Sequence, residues 1–282
     1  MQIPAPRQTA ERTGPVVARA LQILGAFTPD RRSLTLSELS RHARLPVSTV
    51  HRLAAELLAW GALERDPAGC YHIGLRLWEI GSLAPRGLGL REAALPYLED
   101  LSQVTRENVQ LAVREGTEVV FVERIAGSKA VPVLTRVGGR FALTATGVGL
   151  VLLAYAPAEV QEQVVAGPMT RYTERTMTTP RQIRAALADT RARGYAVSDR
   201  QVTMDALSVA APIHDGRGDV VAAVSLVVHH GSTSPHALAP LLRTSARAIS
   251  RALPPSTSAR DGRARDGPGH SRLVTGPVTL GS

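Results

Sequence analysis

The stretch that decides the fold of the N-terminal part is Thr35–Trp60, TLSELSRHARLPVSTVHRLAAELLAW. Thr35 and Glu38 have the T-x-x-E spacing of a capping box, which predicts that a helix starts here. Only the short segment HARL separates this helix from Pro46, a residue type that suits the first position of a second helix. Apolar residues then recur at helical spacing up to Trp60. The sequence therefore predicts two helices joined by a tight turn.

Polar residues near the start of the second helix suit contact with DNA. Ser48, Thr49 and Arg52 are three and four positions apart on one side, and His51 lies next to them. Hydroxyl groups can reach phosphates or base edges, and arginine can donate two hydrogen bonds to guanine. This arrangement is typical of the recognition helix of a helix-turn-helix. On these residues alone, an ordinary helical hairpin whose polar side chains face water is an equally good interpretation.

The residues that follow Trp60 favour DNA binding. Asp66–Gly69, DPAG, carries the residue types of a type I turn between two short strands. A further helix is predicted to begin at Pro15 and to run through Phe27. Three helices followed by a hairpin form the winged version of the helix-turn-helix. Arg65 and His72 on this wing could contact the DNA backbone or minor groove, although solvated charges on an edge strand are the alternative.

Three motifs make this part of the chain resemble the IclR-type transcriptional regulators. They are L-P-x-S-T-V-x-R-L at Leu45–Leu53, E-R-D-P-x-G at Glu64–Gly69 and G-x-R-L-x-E-x-G at Gly74–Gly81. The resemblance implies a winged domain that binds double-stranded operator DNA. We expect its DNA-binding residues to be Thr35, Arg44, Ser48, Thr49, His51, Arg52 and Arg65.

Composition sets limits on the class of protein. A chain of 282 residues is long enough for roughly two domains, and the 44% hydrophobic content allows real cores. The formal charge is +9, but the excess is spread along the chain: residues 1–82 carry 10 Arg against 7 acidic residues. This basicity alone supports a nucleic-acid partner only weakly. The single Cys70, the lack of a signal-peptide pattern and the shortness of the longest apolar run predict a cytoplasmic protein without a membrane anchor.

The C-terminal part changes from helical to strand periodicity. Leu75–Leu83 is predicted as a connecting helix, residues 84–89 as a hinge, and residues 91–105 as the next helix. A hairpin centred on Glu115-Gly116 follows, and Val131–Val137 is predicted as a third strand. Further helices are expected at residues 147–155, 157–166, 180–193 and 234–252, with a hairpin formed by residues 208–213 and 220–228. Helices around a mostly antiparallel sheet indicate an α+β fold.

This part resembles the IclR-type effector domain, which is related to the GAF fold. The segments that carry the likeness are RVGGRFALTATGVGLVLLA, ARGYAVSD and SVAAPIHDGRGDVVAAVSLVV. The resemblance implies that a small organic molecule, such as an organic acid or an aromatic metabolite, binds between the sheet and the helix that begins near Gly147. A helix N-terminus offers free N–H groups to an anion. The implied effector-binding residues are Thr144, Gly147, Val148, Ser198, Asp199, Ser208 and Ser225.

Each of these residues also has a purely structural interpretation. Ser225 could be a small core residue of its strand, and Gly147 could serve only helix packing. Many relatives have His where Thr144 stands, Lys where Leu150 stands and Gly where Asp205 stands. The missing cations weaken the case for an acidic ligand and favour a neutral effector, or none.

The sequence gives little support to the hypothesis of an enzyme or of a metal site. His214-Asp215 and Ser208 lack the G-x-S-x-G elbow of a hydrolase, and no H-E-x-x-H or C-x-x-C spacing accompanies the histidines. We therefore predict no catalytic residue, no metal and no cofactor. The alternatives to an effector-controlled regulator are an effector-independent DNA-binding repressor or architectural factor with a degenerate pocket and, less favoured, an enzyme or metal sensor.

The predicted organisation is a disordered N-terminus at 1–14, a winged helix-turn-helix domain at 15–82, an effector-binding and oligomerisation domain at 83–252, and a disordered tail at 253–282. One recognition helix reads only a few base pairs, so a dimer on two half-sites is expected. The first helix and the connecting helix are the expected dimer contacts, and the expected assembly is either this homodimer or a homotetramer in which effector domains pair two dimers.

Overall fold

The computed structural model describes residues 15–28, 30–84 and 88–254. The predicted disordered segments at 1–14 and from 255 onward, and hinge residues 85–87, lie outside the described residues. Within the described chain, none of the helices is long and apolar enough to cross a membrane.

The N-terminal part has the predicted order of three helices and a hairpin. Its elements are α1 (Val16–Leu24), α2 (Leu36–Ala43), α3 (Val47–Trp60), β1 (Leu63–Arg65) and β2 (Tyr71–Ile73). The capping box at the start of α2 is present, because the Thr35 side chain accepts from Glu38 N–H and the Glu38 carboxylate accepts from Thr35 N–H. The wing turn is closed by a 2.9 Å hydrogen bond from Gly69 N–H to the Asp66 carbonyl. Pro46 is the N-cap of α3 and not its first helical residue.

One small core holds these elements together. Ile23 of α1, Leu39 of α2, and Val50 and Leu53 of α3 are buried against one another. Tyr71 of β2 joins the same core, and its backbone pairs with Leu34 in front of α2. The hairpin is therefore anchored to the helices, which fixes the wing relative to α3.

The connecting helix α4 (Leu75–Gly81) follows the hairpin directly. A Cβ atom on Gly74 would collide with the Gly61 carbonyl, so the backbone at the start of α4 touches the backbone at the end of α3. The Glu64 carboxylate accepts a 3.0 Å hydrogen bond from Leu75 N–H, and the Arg76 guanidinium lies 4.8 Å from the centroid of the Trp60 ring. Helix α4 is thus fastened to the winged unit at its N-terminal end.

The C-terminal part is a six-stranded antiparallel sheet with helices. Its elements are α5 (Leu88–Thr105), β3 (Asn108–Glu115), β4 (Glu118–Ala126), β5 (Arg140–Ala142), α6 (Gly147–Ala154), α7 (Ala158–Ala166), α8 (Pro180–Arg193), β6 (Ala196–Asp199), β7 (Ala206–His214), β8 (Val220–His229) and α9 (Pro235–Ala252). The strand order is β5-β4-β3-β8-β7-β6, and every pair is antiparallel. The predicted α+β fold class is confirmed.

The two faces of this sheet are buried differently. On one face, α5 and α9 cover apolar side chains of the central strands, such as Leu111, Val209 and Leu226. On the other face, α6 packs over the small residues Ala112 and Ala223 and their neighbours. Helix α6 itself is entirely buried, which explains why its sequence is apolar all round.

Two predictions about the C-terminal part are wrong. Residues 131–137 do not form a strand; the third strand of this region is β5, at Arg140–Ala142. The carbonyl of Val131 accepts a hydrogen bond from the Asn108 side chain, so this segment is held by side chains and not by a ladder. The predicted hinge is also too long, because Leu88 and Gly89 already belong to α5.

Candidate functional site

The outer side of α3 is polar, exposed and free of internal contacts. Ser48, His51 and Arg52 are exposed and Thr49 is half-buried, while Val50 on the opposite side is fully buried. Among the described residues, none forms a hydrogen bond or an ion pair with the Arg52 guanidinium. The four residues predicted for DNA contact on this helix therefore lie together at its N-terminal end.

The turn between α2 and α3 places Arg44 at the surface. Arg44 caps α2 in the left-handed conformation, with φ 54°, and its side chain is exposed. This conformation is costly for a residue with a side chain, and glycine is the usual choice. Thr35, at the other end of α2, is engaged in the capping box, since its hydroxyl lies 2.8 Å from a Glu38 carboxylate oxygen. That network also lowers the pKa of Glu38, chiefly through the Thr35 backbone N–H.

The wing carries a charged cluster that organises its own turn. The Arg65 Nε donates a 3.1 Å hydrogen bond to the Gly69 carbonyl, and its guanidinium lies 5.4 Å from the centroid of the Tyr71 ring. His72 lies 2.8 Å from the Asp66 carboxylate, and this hydrogen bond is the main reason that the pKa of Asp66 is lowered. Arg65 is thus exposed but packs its guanidinium against the wing turn, and His72 is turned toward the same turn.

His42 of α2 contacts the loop that precedes α2. Its Nδ1 lies 2.6 Å from an Arg31 guanidinium nitrogen. Desolvation, followed by the nearby charges of Arg31 and Arg41, lowers the pKa of His42. At neutral pH the ring is therefore uncharged and can accept the hydrogen bond from Arg31.

The second candidate site lies on the α6 face of the large sheet. Strand register places Gln110 of β3 opposite Ser225 of β8, and Ser208 of β7 opposite Ser198 of β6. These residues lie on the same face of the sheet as Ala112, which is two residues after Gln110 in β3. The face is therefore apolar under α6 and becomes polar beyond the start of that helix.

A cavity occupies this polar region. Two irregular segments close it, residues 133–135 and 201–203, and Thr146 closes it at the N-cap of α6. Its polar lining consists of hydroxyl and amide side chains, from Gln110, Thr135, Thr146, Ser198, Gln201, Thr203 and Ser208. Among the described residues that line it, none is charged. The cavity therefore suits a small molecule that combines an apolar body with hydrogen-bonding groups.

The cavity is small as it stands. Its volume is about 50 Å³, whereas an engineered cavity that binds benzene measures about 150 Å³. An aromatic ligand would require the walls to move apart. Residues 133–135 and 202–203 belong to no helix or strand, so these parts of the wall can move most easily, whereas Gln201 is held by hydrogen bonds with Thr176 and Met177.

The predicted effector-binding residues are brought together only in part. Ser198 and Ser208 line the cavity, and Gly147 borders it, because a Cβ atom on Gly147 would lie 2.8 Å from the Ser208 hydroxyl oxygen. The other four do not line it: Thr144 and Val148 are buried, Asp199 pairs with Arg200 and His230, and Ser225 is buried next to Gln110.

The cavity also corrects an argument from the sequence. Neither Thr144 nor Leu150 lines it, and Leu150 is 1% exposed within the core around α6. The residue types at these two positions therefore say little about the charge of a ligand. The polar lining residues that the sequence did not assign to the effector site are Gln110, Thr135, Thr146, Gln201 and Thr203. Only the strand register and the course of the irregular segments bring them together.

The histidines of the C-terminal part have structural partners. His230 lies 2.9 Å from the Asp199 carboxylate, and His236 Nδ1 lies 3.2 Å from the Tyr195 hydroxyl. In the described part of the chain, no three His, Cys, Asp or Glu side chains are grouped so that they could hold a metal ion.

Two family profiles match the chain. Residues 16–67 match the IclR helix-turn-helix domain, and residues 84–251 match the C-terminal domain of the bacterial transcriptional regulator IclR. The second match alone covers more than half of the 282 residues.

Curated relatives and solved structures agree with these profiles. The chain is 34% identical to the HTH-type transcriptional regulator BhcR of Paracoccus denitrificans, over 77% of this chain and 79% of that protein. It is 32% identical to the regulator XynR of Escherichia coli, over 74% of this chain and 84% of that protein. A crystal structure of an IclR homolog from Microbacterium hydrocarbonoxydans, complexed with 4-hydroxybenzoate, is 38% identical with a TM-score of 0.81 and covers 85% of this chain and 99% of that one.

These matches span both parts of the fold, and the relatives are transcriptional regulators and not enzymes. The chain belongs to the IclR family and is a DNA-binding transcriptional regulator controlled by an effector.

Proposed function

We propose that this regulator reads operator DNA with the N-terminal half of α3 and binds its effector in the cavity between α6 and the sheet. The observation that carries the first part is the free, exposed Arg52 beside Ser48 and His51. The acidic Glu56, one turn beyond Arg52, marks where phosphate contact becomes unfavourable. Base contacts thus belong to the first two turns of α3.

The other predicted contacts have more limited roles in this proposal. Arg44 and Arg65 supply charge for the phosphate backbone from either side of α3, because both are exposed. Thr35 contributes through the start of α2, since its hydroxyl is already part of the capping box. Such backbone contacts position the protein but do not specify sequence.

Changing Arg52 to alanine should weaken binding to a DNA duplex that the wild-type protein has selected from a random-sequence pool. A bidentate contact to guanine is worth about 1–3 kcal/mol, or roughly 5- to 150-fold in affinity. The affinity is measured by fluorescence anisotropy at fixed salt. A repeated selection with Arg52→Ala should lose its preference at one base pair of each half-site.

The matched control is Arg181→Ala, which removes the same charge from the exposed start of α8. This control should bind within about twofold of wild type, since a distant surface charge contributes little at moderate salt. Equal affinities of Arg52→Ala and wild type would show that α3 is not the reading helix.

For the assembly, we propose a homodimer formed by α1 and α4. Both helices carry large apolar side chains that remain exposed in the single chain: Val17 is 71% exposed, Leu21 60%, Leu75 62% and Trp78 67%. Large apolar side chains left exposed in this way are typical of protein interfaces. A dimer would present two copies of α3 to two half-sites, and pairing of effector domains into a tetramer is the further step. We expect this assembly in the cytoplasm, because its DNA target lies there.

Trp78→Glu should shift the protein toward monomer, because a carboxylate would be buried at the proposed contact. Light scattering on a sizing column should then give half of the wild-type mass, which is the 30.0 kDa of one chain if the wild type is a dimer. The matched control is Val104→Glu, at a position 72% exposed on α5, which should leave the assembly unchanged. A wild-type mass that persists in Trp78→Glu would rule out this interface.

For the effector, we propose a small aromatic compound that carries a hydrogen-bonding oxygen group. The support is the mixture of apolar and uncharged polar side chains around the cavity, together with the 4-hydroxybenzoate bound by the Microbacterium hydrocarbonoxydans homolog. The size of the cavity implies that binding moves residues 133–135 and 202–203 apart. This movement gives the ligand two protein states to distinguish, as control of DNA binding requires.

4-Hydroxybenzoate, 4-hydroxybenzamide and phenol are the probes for a thermal-shift experiment on the full chain. A ligand that binds only the folded protein raises its melting temperature, by an amount that grows with concentration. Ser208→Leu should abolish the shift, because the larger side chain fills the cavity, while DNA binding is kept. If none of the three probes raises the melting temperature of the wild type, this ligand class is wrong.

A further inference from the structure

The hydrogen-bonding capacity of the cavity lining is mostly used by the protein itself. The Ser198 hydroxyl donates to the Ala145 carbonyl at 2.8 Å, and the Thr146 hydroxyl accepts from Gly149 N–H at 3.0 Å. The Gln110 amide donates to the Thr135 hydroxyl at 2.5 Å and accepts from the Ser225 hydroxyl at 3.5 Å. These groups line the cavity, but they already form hydrogen bonds with other groups of the protein.

Gln201 is the exception among the buried amides. Its residue is only 6% exposed and it lines the cavity. Its side-chain oxygen accepts a hydrogen bond from Met177 N–H, which fixes which end of the amide faces the backbone. Among the described residues, none accepts a hydrogen bond from its Nε2. Because Nε2 is not one of the fully buried atoms, its N–H groups are open to the cavity, where a ligand oxygen can accept from them.

Two threonine hydroxyls hold the backbone at Gln201 and at the residue before it. The Thr176 hydroxyl donates to the Gln201 carbonyl at 2.7 Å, and the Thr173 hydroxyl donates to the Arg200 carbonyl at 2.6 Å. Arg200 itself takes the left-handed conformation, with φ 56°, at the turn that leads into Gln201. The side-chain amide of Gln201 is therefore positioned before a ligand binds. This lowers the entropic cost of a hydrogen bond between Gln201 and the ligand.

Two further donors lie around the same cavity. The Ser208 hydroxyl has no partner among the described residues, and it lies beside Gly147 at the start of α6. The first N–H groups of a helix have no partner within the helix and carry partial positive charge. This end of the cavity therefore offers free donors to a ligand oxygen, although no cation is present in its described lining.

We propose that Gln201 is the specificity-determining residue of the effector site and that its Nε2 donates to a carbonyl or carboxylate oxygen of the effector. This proposal rests on the proposed effector cavity and deepens it by naming the chemical group that is read. Ser208 and the start of α6 complete the oxygen site. A ligand with the same ring but without such an oxygen group is discriminated against, because the Gln201 donor stays unsatisfied.

The test is Gln201→Glu, measured by calorimetric titration of the full chain with 4-hydroxybenzoate, 4-hydroxybenzamide and phenol. Glutamate keeps the oxygen that accepts from Met177 N–H and replaces the donor by a negatively charged acceptor. The dissociation constant for 4-hydroxybenzoate should rise by about tenfold or more, from the lost hydrogen bond and from repulsion between carboxylates. The loss for the uncharged 4-hydroxybenzamide should be smaller, and binding of phenol should change least.

The matched control is Gln182→Glu. The Gln182 side-chain oxygen also accepts from a backbone N–H group, at the exposed capping box of α8, so the chemical change is the same but lies outside the cavity. This control should bind all three probes as the wild type does. A second variant, Gln201→Leu, removes both functions and should lower the melting temperature as well.

The outcomes separate the two proposals. Wild-type binding of 4-hydroxybenzoate or 4-hydroxybenzamide that Gln201→Glu leaves unchanged overturns the role of Gln201 but not the cavity. Equal losses for all three probes would show that Gln201 only supports the wall. Failure of every probe to bind the wild type overturns both the ligand class and the assignment of Gln201.

Discussion

The large sheet of the C-terminal part must bury both of its faces, but only one of them is apolar from end to end. Helices α5 and α9 cover the apolar face. On the other face, α6 covers a row of small residues but does not cover Gln110, Ser208 and Ser198, which lie beyond its N-terminal end. Because buried polar groups need partners, this region cannot be filled by another apolar helix. Threonine hydroxyls, glutamine amides and two irregular segments cover it, and the cavity is what they leave open.

The same constraint explains why the cavity could not be derived from the sequence in full. Helix α6 and its Thr146 cap follow from local patterns, as does the hairpin of β7 and β8. Gln110 and Ser225, in contrast, are 115 positions apart and meet only through the register of β3 with β8. A shift of one residue would turn Gln110 into the opposite core. Local sequence does not reveal such a register.

The incorrect strand at residues 131–137 has a related cause. Its alternating apolar residues have the pattern of a strand, but the segment carries hydrogen bonds to the side chains of Asn108 and Gln110 instead of a ladder. The winged part was easier to predict, because the capping box of Thr35 and Glu38 and the Asp66–Gly69 turn are local signals. Which side chains touch DNA stays a prediction, as do the limits of the two domains.

The winged unit explains how a signal from the cavity could reach DNA. Helix α4 is fastened to the end of α3 by the Gly61–Gly74 contact and by the Glu64 carboxylate, so it should move with the recognition helix. In this account the winged unit moves as one body that includes α4. A ligand that spreads the cavity walls can then change the spacing of two recognition helices in a dimer only by its difference in affinity for the two arrangements.

The most direct test of this account is a measurement of linkage on the full chain. The dissociation constant for the selected duplex is determined with and without saturating 4-hydroxybenzoate, and the constant for 4-hydroxybenzoate is determined with and without the duplex. The account predicts that the two constants change by the same factor, of about fivefold or more. Tight ligand binding in the cavity with no change in DNA affinity would contradict it.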